Sequence, residues 1–287
     1  MADDGRPVGV VGFGAMGSGI ATVCAAAGHT VVAVDTTWAA LDAGLRRQRD
    51  FLAGSVERGK ITEAERDATL GRITRGTELA ALADARLVIE AVVERADVKH
   101  ELVGRLGTVL AHDAVLATNT SALSVTGLAR HAPDPERVAG LHFFNPPQLM
   151  PLVEVVRALQ TGDSTVQTLV EFAESLGKRP VVVPDRPGFL VNRLLMPYLN
   201  DVVQAYDDGL ASAADLDTAI RLGLGHPMGP LELLDLIGVD VHLHATTAAY
   251  DATRDPRFAP PPLLTRMVEA DRLGAKSGRG FREGAGE

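Results

Sequence analysis

Residues 8–35, VGVVGFGAMGSGIATVCAAAGHTVVAVD, constrain the fold more than any other part of the chain. A short β-branched run passes into three glycines, an alanine-rich stretch follows at once, and a second apolar run ends on an acid. That order predicts a strand, a phosphate-binding turn, a helix and a second parallel strand. Gly12 allows the tight turn, and Gly14 has no side chain to obstruct a pyrophosphate. Gly17 lets the helix pack close to the sheet while its N–H groups and dipole face the anion. Asp35 can accept both hydroxyls of a ribose and would repel a 2′-phosphate, so the expected cofactor is NAD rather than NADP. A glycine-rich turn in some other doubly wound fold, with Asp35 capping the next helix, would be spelled the same way.

Further along, β-branched runs at 8–11, 31–34, 87–93, 114–118, 138–144, 152–156 and 180–183 alternate with alanine-rich helical stretches. This pattern predicts an α/β sheet with crossover helices. Between 36 and 76 a charged segment containing LDAGLRRQRDFLAGSVERGKITEAERDATLGRI reads as an inserted helical hairpin with RGKIT as its turn. From PDRPGFLVNR onward the apolar residues take a helical period, so the second domain is expected to be all-α. Pro184 and the Pro187 and Gly188 pair mark the join, giving domains of 1–184 and 185–287. The fold class is therefore a Rossmann-type N-terminal domain with an inserted helical hairpin, followed by a helical domain.

The 287 residues, 46% of them hydrophobic, suffice for two cores. A net charge of −9 argues against a surface built for nucleic acid or anionic lipid. No apolar run approaches the roughly 18 to 20 residues of a membrane span, and the start MADDGRPVGV lacks a leader pattern. The single cysteine, Cys24, cannot form an internal disulfide, which fits a reducing cytosol. No metal site is expected.

Residues 141–156, LHFFNPPQLMPLVEVV, hold the second chemical signal. His142 ends one strand, Glu154 interrupts the next, and NPPQLMP contains enough turn chemistry to reverse the chain between them. A carboxylate bonded to one imidazole nitrogen fixes the tautomer and assigns proton exchange to the other. A core histidine with internally satisfied hydrogen bonds, beside a carboxylate on an edge strand, shares this spacing, so both readings stand.

The segments GFGAMGSGIA, LVIEAVVE, TNTSALSVT, LHFFNP, PLVEVV, RPGFLVNRLLMPYLN and LGHPMGPLELLDLIG, in this order, resemble the NAD-dependent 3-hydroxyacyl-CoA dehydrogenase family in its compact bacterial form. The resemblance implies that His142 is the catalytic acid/base, Glu154 its orienting partner, Ser121 a hydrogen-bond donor to the substrate oxygen, and Asn192 a residue that positions substrate and histidine. It implies a cofactor site of Gly12, Gly14, Ala15, Met16, Gly17, Asp35 and Asn119, with Glu94 and Lys99 beside the nicotinamide ribose. Arg58 and Lys60, on the hairpin, are implied for the CoA nucleotide. The reaction implied is the reversible oxidation of an (S)-3-hydroxyacyl thioester, such as 3-hydroxybutyryl-CoA, by a cytoplasmic homodimer. His226, in GHPMGP, reads as part of a structural turn.

The chain departs from typical members at three places. Pro147, Gln148 and Pro151 stand where the family reads NPVPVMKLVEV, the hairpin lacks one basic residue, and GFREG replaces the GFYxY ending. The loop change leans toward relatives that act on other hydroxy acids. A hydroxyacyl group on an acyl carrier protein, or a free hydroxy or sugar acid, is therefore the alternative substrate.

Overall fold

A computed structural model describes residues 5–282, and its contacts part the chain into two compact units between Arg186 and Pro187. The first four residues of the leader argument, and Glu283 and Gly284 of GFREG, lie outside the described residues.

The first unit is built on one eight-stranded sheet. Strand β1 (Val8–Val11) leads through helix α1 (Ala15–Ala26) to β2 (Val31–Val34). Helices α2 (Trp38–Glu57) and α3 (Glu63–Gly71) then lead to β3 (Ile73–Gly76). Strand β4 (Leu87–Glu90), helix α4 (Ala96–Val109), β5 (Val115–Thr118) and the short α5 (Val125–Ala129) follow. Antiparallel β6 (Val138–Phe143) and β7 (Leu152–Arg157) form a hairpin, and α6 (Asp163–Ser175) crosses to β8 (Arg179–Pro184). The order is β3-β2-β1-β4-β5-β6-β7-β8, parallel except at β6 against β7. The order in which strands are added therefore switches sides between β1 and β4, which opens a crevice at the carboxyl ends of the strands.

Central strands β1, β4 and β5 are buried at every residue, as parallel strands covered on both faces must be. Their Val8, Val10, Leu87, Ile89 and Val115 pack with Ile20 and Cys24 of α1 in a single core. Burial pushes the Cys24 thiol up to about 12, which leaves it an inert core residue.

Two expectations are corrected. The segment 36–76 is a helical hairpin through Gly71 only, because ITRG at its end pairs with β2 as the edge strand β3. The polar Thr74 and Arg75 disguise that strand, and an edge tolerates them. The run 87–93 leaves the sheet after Glu90, whose own carboxylate accepts the N–H of Val92 and turns the chain. The hairpin itself is defined by local chemistry: Thr37 caps α2, and Thr62 with Glu65 forms a capping box on α3.

The second unit is helical: α7 (Val191–Asp207), α8 (Ala213–Leu224), α9 (Pro230–Ile237), α10 (Val239–Thr253) and α11 (Pro262–Glu269). Leu199, Val203, Leu231, Leu234, Val239, Leu264 and Phe281 make its core. Asp217 caps α9 by accepting the N–H groups of Leu231 and Glu232, and Asp235 likewise holds Phe281 and Arg282. No described helix is long and apolar enough to cross a membrane.

Candidate active site

The glycine turn fits a dinucleotide. Gly12 sits at φ +88°, and a Cβ there would lie 2.7 Å from the Ala91 carbonyl oxygen. A Cβ on Gly17 would lie 1.7 Å from the carbonyl oxygen of Gly12, so helix and turn approach too closely for any side chain. Gly14, by contrast, caps α1 with nothing within 4 Å of where a Cβ would stand. Tight packing explains two of the glycines, and open space beside a helix N-terminus explains the third. Ala15 and Met16 form the first turn of α1 behind it. At the end of β2, Asp35 accepts the N–H of Phe13 (2.6 Å) and of Thr36 (2.7 Å), so the acid also braces the glycine turn. A cleft beside it is lined by Val11, Gly12, Asp35, Thr77, Val92 and Leu102. The cradle suits the adenosine and pyrophosphate of NAD.

On the other side of the crevice lies a chain of charge. Glu94 Oε1 accepts the hydroxyl of Thr120 and the N–H groups of Ser121 (2.9 Å) and Ala122 (3.1 Å). Lys99 Nζ stands 3.2 Å from Glu94 Oε2 and donates to Glu90 Oε1 at 2.6 Å. Burial works against the Glu94 carboxylate, but Lys99 and these donors outweigh it and hold its pKa below the usual carboxylate range. Lys99 is 1% exposed, so its ammonium lies beneath the surface, held by two carboxylates. Asn119 follows β5 and accepts the N–H of Phe143 at 2.8 Å, joining the ends of β5 and β6 beside His142.

His142 and Glu154 face each other in register across the β6 and β7 hairpin. Direct cross-strand partners on one face stand close enough for their side chains to meet. His142 Nδ1 lies 2.7 Å from Glu154 Oε2, with His142 6% and Glu154 1% exposed. The ring of Phe144 covers the imidazole at 4.6 Å between centroids. In the connecting loop Asn145 and Pro146 are exposed while Pro147 is buried: Pro147 and Gln148 pack against Gly19 of α1, and Lys178 Nζ donates to the carbonyls of Pro147 (2.7 Å) and Met150 (2.9 Å).

Asn192 is in the first turn of α7, in the second unit. Arg58 and Lys60 are exposed at the hairpin tip, with the Arg58 guanidinium folded over Gly54. His226 is exposed in the turn between α8 and α9, 6.4 Å from the ring of Tyr198. Sequence reasoning passed over Glu90, Thr118 and Thr120. The signal for Glu90 was available: like Glu154, it is an acid in an otherwise apolar run, here at the strand's end.

Residues 7–186 match the NAD-binding domain of 3-hydroxyacyl-CoA dehydrogenase, and residues 188–284 match the C-terminal domain of the same enzyme. A 3-hydroxybutyryl-CoA dehydrogenase of Mycobacterium tuberculosis is 47% identical over 283 residues, covering 98% of this chain and 99% of that one. The mitochondrial hydroxyacyl-coenzyme A dehydrogenase of Sus scrofa is 43% identical over 284 residues, 96% of this chain and 90% of its own. Among solved structures, (S)-3-hydroxybutyryl-CoA dehydrogenase PaaH1 from Ralstonia eutropha is similar with a TM-score of 0.95 at 39% identity, covering 97% and 98% of the two chains. With both units matched and a nucleotide cradle in the first, the chain belongs to the 3-hydroxyacyl-CoA dehydrogenase family and is an NAD-dependent oxidoreductase.

Proposed function

We propose that the protein interconverts (S)-3-hydroxyacyl-CoA and 3-oxoacyl-CoA, with 3-hydroxybutyryl-CoA as substrate, using His142 and Glu154 as an acid/base pair. The observation that carries this reading is the buried 2.7 Å hydrogen bond between His142 Nδ1 and Glu154 Oε2. Relatives named for 3-hydroxybutyryl-CoA support the substrate.

Glu154 accepts the Nδ1 proton and thereby assigns proton exchange with the substrate to Nε2. In oxidation Nε2 takes the hydroxyl proton of the carbinol, and in reduction it returns that proton to the 3-oxo oxygen. A bound NAD would supply the acceptor for the hydride of the carbinol carbon. Gly12, Gly14, Ala15, Met16, Gly17 and Asp35 hold its adenosine and pyrophosphate, while Glu94, Lys99 and Asn119 border the nicotinamide end. Ser121 hydrogen-bonds the substrate oxygen, Asn192 helps position substrate and histidine, and Arg58 and Lys60 meet the CoA phosphates.

One feature favours a second reading, a hydroxyacyl group on acyl carrier protein: the Arg58 guanidinium lies back over Gly54 at the hairpin tip. NADH oxidation with acetoacetyl-CoA, beside the same acyl group on pantetheine and on acyl carrier protein, separates the two. Efficient turnover of the CoA ester and a large loss with pantetheine support the proposal. Turnover on the carrier protein alone replaces it with the second reading, and turnover of the free acid alone rejects both. Exposed Leu194, Leu210, Leu222, Leu224 and Leu236 on the second unit fit a homodimer. Light scattering should then return twice the 30.2 kDa chain mass, and a monomer at micromolar concentration removes that part of the reading. The cytoplasm is the compartment proposed, to be checked by cell fractionation.

A further inference from the structure

An extended buried polar assembly of the first unit centres on Glu90, a residue with no part in the reaction proposed above. Glu90 is fully buried at the end of β4. Its Oε1 accepts from Lys99 Nζ (2.6 Å) and from the N–H of Val92, and its Oε2 accepts from Thr118 Oγ1 at 2.7 Å. A buried carboxylate costs several kcal/mol to desolvate and persists only with such partners. Lys99 passes the contact on to Glu94, and Glu94 spends one oxygen on the backbone of Ser121 and Ala122. Thr120, also fully buried, donates to Glu94 and accepts the N–H of Leu123 at 2.9 Å. The backbone N–H of Asn119 returns to the Glu90 carbonyl at 2.8 Å, which closes the assembly on itself.

Ser121 itself is exposed on a loop between β5 and α5, where a side chain has little packing to aim it. Glu94 alone would not fix that loop, because an acid on a turn has rotamers to choose among. Lys99 removes the choice, and Lys99 is itself immobilised by Glu90. Resting on the reading of Ser121 as the residue that meets the substrate oxygen, we propose that Glu90 is a positioning residue: through Lys99 and Glu94 it fixes the backbone of Ser121.

The test is a double-mutant cycle between Glu90→Gln and Ser121→Ala, read as kcat and KM for acetoacetyl-CoA at saturating NADH. Each single variant should lower kcat/KM about ten- to hundredfold, the range for losing a hydrogen bond to a charged group. If Glu90 acts through Ser121, the double variant is no worse than Ser121→Ala within about threefold. Additive losses in the double variant overturn the inference while leaving Ser121 its role. A Ser121→Ala enzyme that matches the parent removes the reading of Ser121 and the inference with it.

If Glu90→Gln strands Lys99 and does not fold, the Glu90→Gln and Lys99→Met pair removes both charges together and enters the same cycle. Thr118→Val removes the hydrogen bond to Glu90 and the acceptor of the Thr120 N–H at 3.3 Å, and enters the cycle as a third perturbation. It should show the same non-additivity with Ser121→Ala, and additivity there also overturns the inference.

Discussion

Two glycine-to-alanine changes, three residues apart on one turn, are predicted to fail in opposite ways. At Gly14 an added methyl meets nothing within 4 Å, and the backbone (φ −67°, ψ −161°) is open to any residue. Alanine is a poorer N-cap than glycine but loses less entropy on folding by about 0.4–1 kcal/mol, so Gly14→Ala should keep its stability within about 1 kcal/mol. For a chain of this length that is a Tm change of about 2–4 °C. The methyl stands, however, where a pyrophosphate approaches the N-terminus of α1. Losing one backbone hydrogen bond to a charged group costs about 1.5–3 kcal/mol, so NADH affinity should fall about ten- to hundredfold. At Gly17, helix propensity alone favours alanine by about 1 kcal/mol. The 1.7 Å approach to the Gly12 carbonyl oxygen decides the other way, because backbone and not a flexible side chain must yield, and overpacking of this kind costs about 3 kcal/mol or more. The chain's single tryptophan, Trp38, lies three residues beyond Asp35, so energy transfer from Trp38 to NADH reports binding while thermal unfolding reports the fold. A folded Gly14→Ala protein that binds NADH within about threefold of the parent refutes the reasoning, and so does a Gly17→Ala protein as stable as the parent.

Three further outcomes are expected. Asp35→Asn sets an amide NH₂ against the N–H of Phe13 or Thr36, so NADH binding should weaken and the preference over NADPH, measured by the same energy transfer, should shrink. Glu154→Gln should lower kcat by about ten- to hundredfold with a smaller change in KM, since it removes a charged partner of the base and no substrate contact; steady-state kinetics with KM as the larger change would count against its role. His242 is buried in the second unit, where its Nε2 meets Asn200 Oδ1 at 2.9 Å and burial lowers its pKa to about 4. The unfolded chain binds that proton below about 6.5 and the folded chain does not until about 4, so stability should fall by up to about 3 kcal/mol as pH drops across that window. Urea midpoints against pH should show the slope in the parent and a flatter one in His242→Gln.

The sequence was most legible where the determining contacts are local. The glycine turn and Asp35 could be read because strand, turn and helix follow one another within 28 residues, with close approach at Gly12 and Gly17 and open space at Gly14. His142 and Glu154 could be paired because a hairpin needs only a reversing turn to set register. β3 was lost because Thr74 and Arg75 sit comfortably on an edge, and Val92 and Val93 extended β4 on paper because their propensity outlasts the sheet. Glu90 needed its partners before it could be noticed: Lys99 comes from α4 and Thr118 from β5. Pro147 and Gln148 of the altered PPQLMP loop, which leans toward other hydroxy acids, also pack on Gly19 of the helix behind the cofactor turn. No spacing rule shows that contact. The network of His242 with Asn200 and Thr246 was equally hidden, since it joins Asn200 of α7 to residues 42 and 46 positions later on α10.

The proposed proton exchange between His142 and the substrate is tested most directly by kcat for acetoacetyl-CoA reduction by His142→Ala at saturating NADH. The variant should fold, still bind NADH and lose about 10² to 10⁴ in rate, the contribution of general acid/base catalysis. A folded, NADH-binding variant that keeps more than about a tenth of the parent rate would contradict it.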